Sequence, residues 1–186
     1  VVLTAVLFAL QAVVAPPDSG TADRSGSLRI QAEDILRTQA SDDDGDLTSV
    51  VRYWDPLRRT YYGAQDRTVG YGNETLPTAL FDGSFERTFS VRGLSYNIVF
   101  VYHQRGNASM GKEPLLYQGR PSAGAVTARH TVTLYDTMRL TAPGAGPRQL
   151  QQYDTNANNE STGFYPIPDV DDGPIYNVVE VRVTVW

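Results

Sequence analysis

The chain has 186 residues, a formal net charge of −5 and no cysteine. That length holds one domain of about 150 residues plus an appendage. The acidic balance argues against nucleic acid, which wants a basic stripe, and the absence of thiols excludes disulfides, thiolate metal sites and cysteine nucleophiles.

Apolar residues at 41% suffice for a packed core, and a mean hydropathy of −0.32 excludes a polytopic membrane protein. Lys112 is the one lysine among sixteen cations, and aspartate outnumbers glutamate fifteen to six. High-GC coding alone favours arginine. Life in high salt favours short, strongly hydrated carboxylates and few lysine stems, and a halophilic origin is the expectation.

Thirteen of the first fifteen residues, VVLTAVLFALQAVVA, are apolar; Thr4 and Gln11 interrupt them, and no charge appears before Pro16-Pro17. As a helix the run spans about 22 Å, short of the roughly 30 Å hydrocarbon core. It lacks the basic region of a complete secretory signal, and it begins at Val1. The expectation is that a piece upstream is missing and that the run is part of a longer apolar helix. Such a peg needs lipid, a bundle of its own copies, or the core of its own domain.

Residues 18–27 read as a flexible stretch. Ser27 then caps an amphipathic helix over residues 28–40, with Leu28, Ala32, Ile35, Leu36 and Gln39 on one face and a Glu33/Arg37 pair on another. After the break SDDDGD, Asp46 starts a short helix whose Leu47, Val50, Val51 and Trp54 form one stripe, ended by Asp55-Pro56. Tyr61-Tyr62 reads as a short strand. The alternation of Phe85, Phe89 and Val91 predicts a strand, joined by a tight Arg92-Gly93 hairpin to a strand over residues 94–103. Residues 126–134 alternate likewise. The final run puts Val179, Val181, Val183 and Val185 on one side and Glu180, Arg182 and Thr184 on the other, a half-buried antiparallel strand. The predicted fold is α+β: an apolar N-terminal helix (1–15), a linker with an amphipathic helix (16–45), and a mainly antiparallel, sandwich-like β head (46–186).

Three Asn-x-Ser/Thr sequons, at Asn73, Asn107 and Asn159, lie in turn-like stretches and point to an exported, glycosylated surface protein. Asp42, Asp44 and Asp46 have calcium-loop spacing, but Leu47 and Tyr53 stand where an EF-hand needs glycine and glutamate. A helix N-terminus explains these carboxylates. Asp169, Asp171 and Asp172 form a second acidic turn and, with the first, the candidate metal ligands. Tyr62, Tyr71, Tyr117, Tyr153 and Tyr165 serve either a contact surface or the fold, the fold being the better reading. His103 and His130 read as structural. No nucleophile elbow, zinc-protease motif or phosphate loop is present, and no particular carboxylate pair points to glycoside chemistry. The expectation is a non-enzyme without a cofactor.

The segments VLTAVLFALQAVV, VRYWD, VGYG, HTVTLYDTMRLTAPG, YDTNANN and YPIPDVDDGPIYNVVEVRV together resemble haloarchaeal type IV pilin-like surface proteins. The resemblance implies an apolar segment that rests in the cytoplasmic membrane and is then drawn into an extracellular filament. Copies of the chain, or of related pilin-like subunits, pack there through Leu3, Val6, Leu7, Phe8, Leu10 and Val14. Membrane lipid is the partner before assembly, and the β head faces solvent. A membrane-tethered binding module that does not polymerise, and a capsid-like subunit of a halophilic virus, are the alternatives.

Overall fold

The computed structural model describes residues 19–41, 46–72, 76–106, 108–153, 163–170 and 172–186. It is α+β, with a four-stranded and a two-stranded antiparallel sheet. Helix α1 (Ser19–Ala40) leads into α2 (Asp46–Val51), followed by the two-residue strands β1 (Trp54–Asp55) and β2 (Thr60–Tyr61). A 3₁₀ turn and helix α3 (Ser84–Thr88) precede the main strands β3 (Tyr96–His103), β4 (Met110–Tyr117), β5 (Val126–Tyr135) and β6 (Ile175–Val185).

The order across the main sheet is β4-β3-β6-β5, and every neighbour pair is antiparallel. The last strand therefore sits inside the sheet, reached by the long connection 136–174. Its alternation is the sheet's organising signal. Val179, Val181, Val183 and Val185 are buried and lie opposite Tyr102, Phe100, Ile98 and Tyr96 of β3. Ala128 and Val132 of β5 carry the same face outward to the edge. α1 packs over β5 and β6, burying Leu28, Ala32 and Leu36 at i, i+4 and i+8. Its outer side carries the surface pairs Arg29–Glu33 and Arg37–Asp34; Arg37 takes Asp34 rather than Glu33. Such exposed pairs contribute little to stability.

Along β5 and β6 the opposite face of the sheet is polar and exposed or half-exposed. Thr127, Arg129, Thr131, Glu180, Arg182 and Thr184 lie there, with Glu180 between Arg129 and Arg182.

The expected fold is corrected on three points. Among the described residues no helix is long and apolar enough to cross a membrane; the long helix α1 carries Asp23, Arg24, Arg29, Glu33, Asp34 and Arg37. Residues 1–15, assigned from sequence to an apolar N-terminal helix, lie outside the described residues. The head is not sandwich-like: one sheet is covered on one side by helices and aromatic loops, and β1–β2 is a two-residue ladder tucked under it rather than a second layer.

Two local expectations also change. α1 begins at Ser19, inside the stretch read as flexible, where Gly20 and Gly26 lower helix propensity without breaking the helix. Residues 85–91 are helix α3 and a 3₁₀ turn, not a hairpin strand. Phe85 and Phe89 are four apart, a spacing that puts two rings on one side of either a helix or a strand. Gly93, at φ +70°, ends this segment in a left-handed cap.

Candidate functional site

Two features stand out: a charged pair set in the aromatic core, and an apolar cleft at the N-terminal half of α1. The first is built around Trp54. Its indole N–H donates to the Phe164 carbonyl at 2.7 Å, and the rings of Tyr61, Phe164 and Tyr165 meet it edge-on with centroids 5.1, 6.0 and 6.4 Å away. Arg67 lies over the Phe164 ring, 4.8 Å from its centre. Its Nε and Nη2 donate to the two carboxylate oxygens of Glu113 at 2.8 and 2.9 Å. Glu113 is 3% exposed, on the covered face of β4 opposite Phe100.

Burial pushes the Glu113 carboxyl above its ordinary range, and the Arg67 hydrogen bonds and charge pull it back. Burial also holds the Tyr61 and Tyr165 hydroxyls well above the usual tyrosine value. A carboxylate engaged on both oxygens is a fastener rather than a poised base. What it fastens is the segment after Asp66: Tyr71 N–H donates to Leu115 O at 2.9 Å, and Tyr117 N–H to Val69 O at 3.1 Å. This segment covers one end of edge strand β4, leaving less free edge for unwanted pairing.

The cleft lies between Arg24, Leu28, Leu94, the loop 122–124 and the indole of Trp186, with a volume of about 230 Å³. Close by, Arg92 donates to Gln31 Oε1 at 2.9 Å. The residues next to this pair in sequence, Ile30 and Val91, are 54% and 78% exposed. Ile30 is on the outer side of α1, away from buried Leu28, and the cleft's apolar walls are shared with Arg24 and Ser122.

The model of a family of unknown function, DUF7288, matches residues 1–185. The chain belongs to the DUF7288 family. No curated protein and no solved structure matches it. The DUF7288 match spans the apolar run and the helix-and-sheet head together.

Most residues singled out from sequence fall outside the described part of this DUF7288 chain. Leu3, Val6, Leu7, Phe8, Leu10 and Val14 do so, as do Asn73, Asn107 and Asn159, and Asp42, Asp44 and Asp171. Asp46 opens α2. Asp172 is 97% exposed and pairs with Arg105 at 3.0 Å. Asp169 lies near enough to the Tyr176 hydroxyl to add, with Asp136, to the upward shift that burial imposes on it. Among the described residues no group of three His, Asp or Glu could hold a metal ion.

Of the tyrosines, Tyr71, Tyr153 and Tyr165 are core residues whose hydroxyls donate to the carbonyls of Tyr62, Ala145 and Val51, while Tyr62 and Tyr117 remain exposed. His103 ends β3 with its backbone held at both N–H and C=O by the Asn177 amide, and His130 is half-buried on the covered face of β5. Sequence reasoning missed the Arg67–Glu113 pair and the cleft. Their members are 46 residues apart in the first case and drawn from four separate segments in the second.

Proposed function

We propose that this DUF7288 protein is a structural subunit of a pilus-like filament at the cell surface. Its apolar run supplies cohesion between copies, and its helix-and-sheet head faces solvent. The observation that supports this most is the run itself: thirteen of residues 1–15 are apolar and none is charged. Among the described residues the hydrophobic core extends from Leu28 to Val185.

A run of this composition needs apolar surroundings, and in this reading like segments of other copies supply them. At roughly 25 cal/mol per Å² of apolar surface removed from water, burying it against like segments is worth many kcal/mol per subunit before ordering costs are subtracted. Membrane lipid supplies these surroundings before assembly. The sequons at Asn73, Asn107 and Asn159 fit an exported head that carries glycan.

Deletion of residues 1–15 tests the reading. The expected product is a folded monomer with the thermal transition of the parent head, from which filaments visible by electron microscopy have disappeared. An unfolded product would mean that the run belongs to the core. A parent chain that stays monomeric, with or without lipid, would remove the filament.

A further inference from the structure

We propose that the free edge of β5 pairs with the β5 edge of a second copy of the chain, antiparallel across a two-fold axis, so that the two four-stranded sheets join into one. The proposal does not depend on the filament reading. Three observations carry it.

The first is which backbone groups are unpaired. Just beyond Tyr96 and Val185, Ser95 and Trp186 exchange both backbone hydrogen bonds, at 3.1 and 3.0 Å. In an antiparallel ladder such pairs recur at every second residue, so Thr184, Arg182 and Glu180 bond to β3. Val185, Val183, Val181 and Val179 are left to bond to their partners in β5, which are Val126, Ala128, His130 and Val132. The N–H and C=O of Thr127, Arg129, Thr131 and Thr133 therefore point off the sheet. Among the described residues no backbone hydrogen bond reaches them. Arg129 and Thr131 are exposed, and Thr127 and Thr133 are half-exposed. A row of unpaired donors and acceptors is a template for another strand.

The second is the lack of protection. β4, the other edge, carries Gly111, Lys112 and Pro114, and the segment after Asp66 covers part of it. Residues 126–134 hold no glycine, lysine or proline, and their ladder to β6 runs without a bulge as far as Leu134. The one arginine among them, Arg129, lies 3.8 Å from Glu180 of its own sheet. The threonines and valines of β5 suit a strand.

The third is that the edge is its own complement. With the axis at His130, Thr127 faces Thr133 of the copy and Arg129 faces Thr131, so every outward N–H and C=O of the four residues is matched. On the covered face Val126 meets Leu134, and Ala128 meets Val132. Moving the axis one residue toward the N-terminus sets Arg129 against Arg129, a like-charge pair. Moving it one residue toward the C-terminus brings in Tyr135, beyond the bulge between Leu134 and Tyr135, and loses pairs. The pattern of one charge among threonines thus selects a single register with a second copy. A patch that contacts itself closes as a dimer.

The chain has no cysteine, so disulfide formation in the full-length protein reads the pairing. Across the axis the two His130 positions form a pair without backbone bonds, their Cα atoms about 4.5 Å apart. That lies within the roughly 4.4–6.8 Å that a disulfide spans. Oxidised His130→Cys is expected to run mainly as a chain-to-chain dimer. Tyr135→Cys, at a 46% exposed position, is expected to stay unlinked. In the proposed register its two copies lie about 34 Å apart along the strands, at about 3.4 Å per residue. Thr131→Pro removes a donor that points off the sheet, so the thermal transition should hold while the His130→Cys link falls about tenfold. Thr131→Lys asks the same question without proline. Its charge faces Glu180 within the chain and Arg129 of the copy, so the fold is kept and the dimer dissociation constant rises several-fold. A folded His130→Cys chain without the link, an equal link at Tyr135→Cys, or a link that survives Thr131→Pro overturns the pairing, whether or not filaments form. An edge held by another protein, or by another part of the same chain, gives the first of these outcomes.

Discussion

Arg67 grips Glu113 through two parallel hydrogen bonds while its guanidinium lies against the Phe164 ring, so one side chain joins the segment after Asp66, edge strand β4 and the long connection into β6. Glu113 is almost wholly buried and Arg67 is 42% exposed. The pair therefore has a dry acid and a half-wet base, and its two members respond differently to removal.

Arg67→Met leaves a buried carboxylate without its partner. The expected loss at neutral pH is about 2–4 kcal/mol, in the lower part of the range for a broken buried pair because Arg67 is partly screened by solvent. The pH dependence has a definite sign. Burial, the larger influence, raises the Glu113 carboxyl in the folded state above its ordinary value. A raised carboxyl contributes stability that is fully present below the unfolded pKa and is lost as pH rises through the folded one. Removing Arg67 raises that folded pKa further. The stability gap between wild type and variant should therefore be small in acid, where Glu113 is protonated in both, and should widen toward neutrality. Urea unfolding at a series of pH values measures it.

Gly70 sits at φ +61°, and a Cβ there would stand 2.0 Å from the Leu115 carbonyl oxygen. That oxygen is backbone in a strand and cannot step aside. Gly70→Ala should cost more than about 3 kcal/mol, among the large single-site effects. Gly63, at φ +81° but facing open space, gives the comparison; Gly63→Ala should cost about 1–2 kcal/mol, the conformational term alone. Thermal unfolding of the two variants separates steric from conformational cost.

Tyr61 and Tyr165 are both fully buried, but their hydroxyls differ. The Tyr165 O–H donates to the Val51 carbonyl at 3.1 Å, while the Tyr61 hydroxyl has no hydrogen-bond partner among the described residues. Tyr165→Phe should lose about 1 kcal/mol. Tyr61→Phe should be neutral or stabilising, because it removes a polar atom that is desolvated without return. Denaturant midpoints at constant slope decide between these outcomes.

On α1, Leu36 is fully buried and Ile30 stands 54% in water. Leu36→Ala should destabilise the head by about 2–5 kcal/mol through the cavity it leaves. Ile30→Ser should change head stability by less than about 0.5 kcal/mol. Thermal unfolding of the two variants reads the difference between the two sides of the helix.

Much of the covered face was legible in the residues themselves. Leu47, Val50, Val51 and Trp54 are wholly buried, although the helix expected to carry all four ends at Val51 and Trp54 opens β1, and the amphipathic face of residues 28–40 packs as its spacing predicts. The alternation from Val179 to Val185 places four valines inside. Strand β4 was not legible. Gly111, Lys112 and Pro114 break every strand pattern, and proline gives no N–H to a ladder. The segment pairs because it is an edge strand and because the register shifts near Pro114, opposite Ile98 and Val99. Gly111 is required there, since a side chain at that point would run into the Tyr102 ring.

What the sequence determined by itself is what depends on near neighbours: which side of each helix or strand is apolar, where prolines interrupt, and that an uncharged run of fifteen residues precedes an ordinary soluble composition. Only the tertiary structure decided that the last strand lies between β3 and β5, that Phe85 lies in helix α3 with Phe89 as its C-cap and both rings against Tyr96, and that Arg67 finds Glu113. The physical reason is range. Periodicity follows from a few covalent bonds and the solvent beside them, whereas strand order, buried ion pairs and clefts arise between segments that meet only when the whole chain has excluded water.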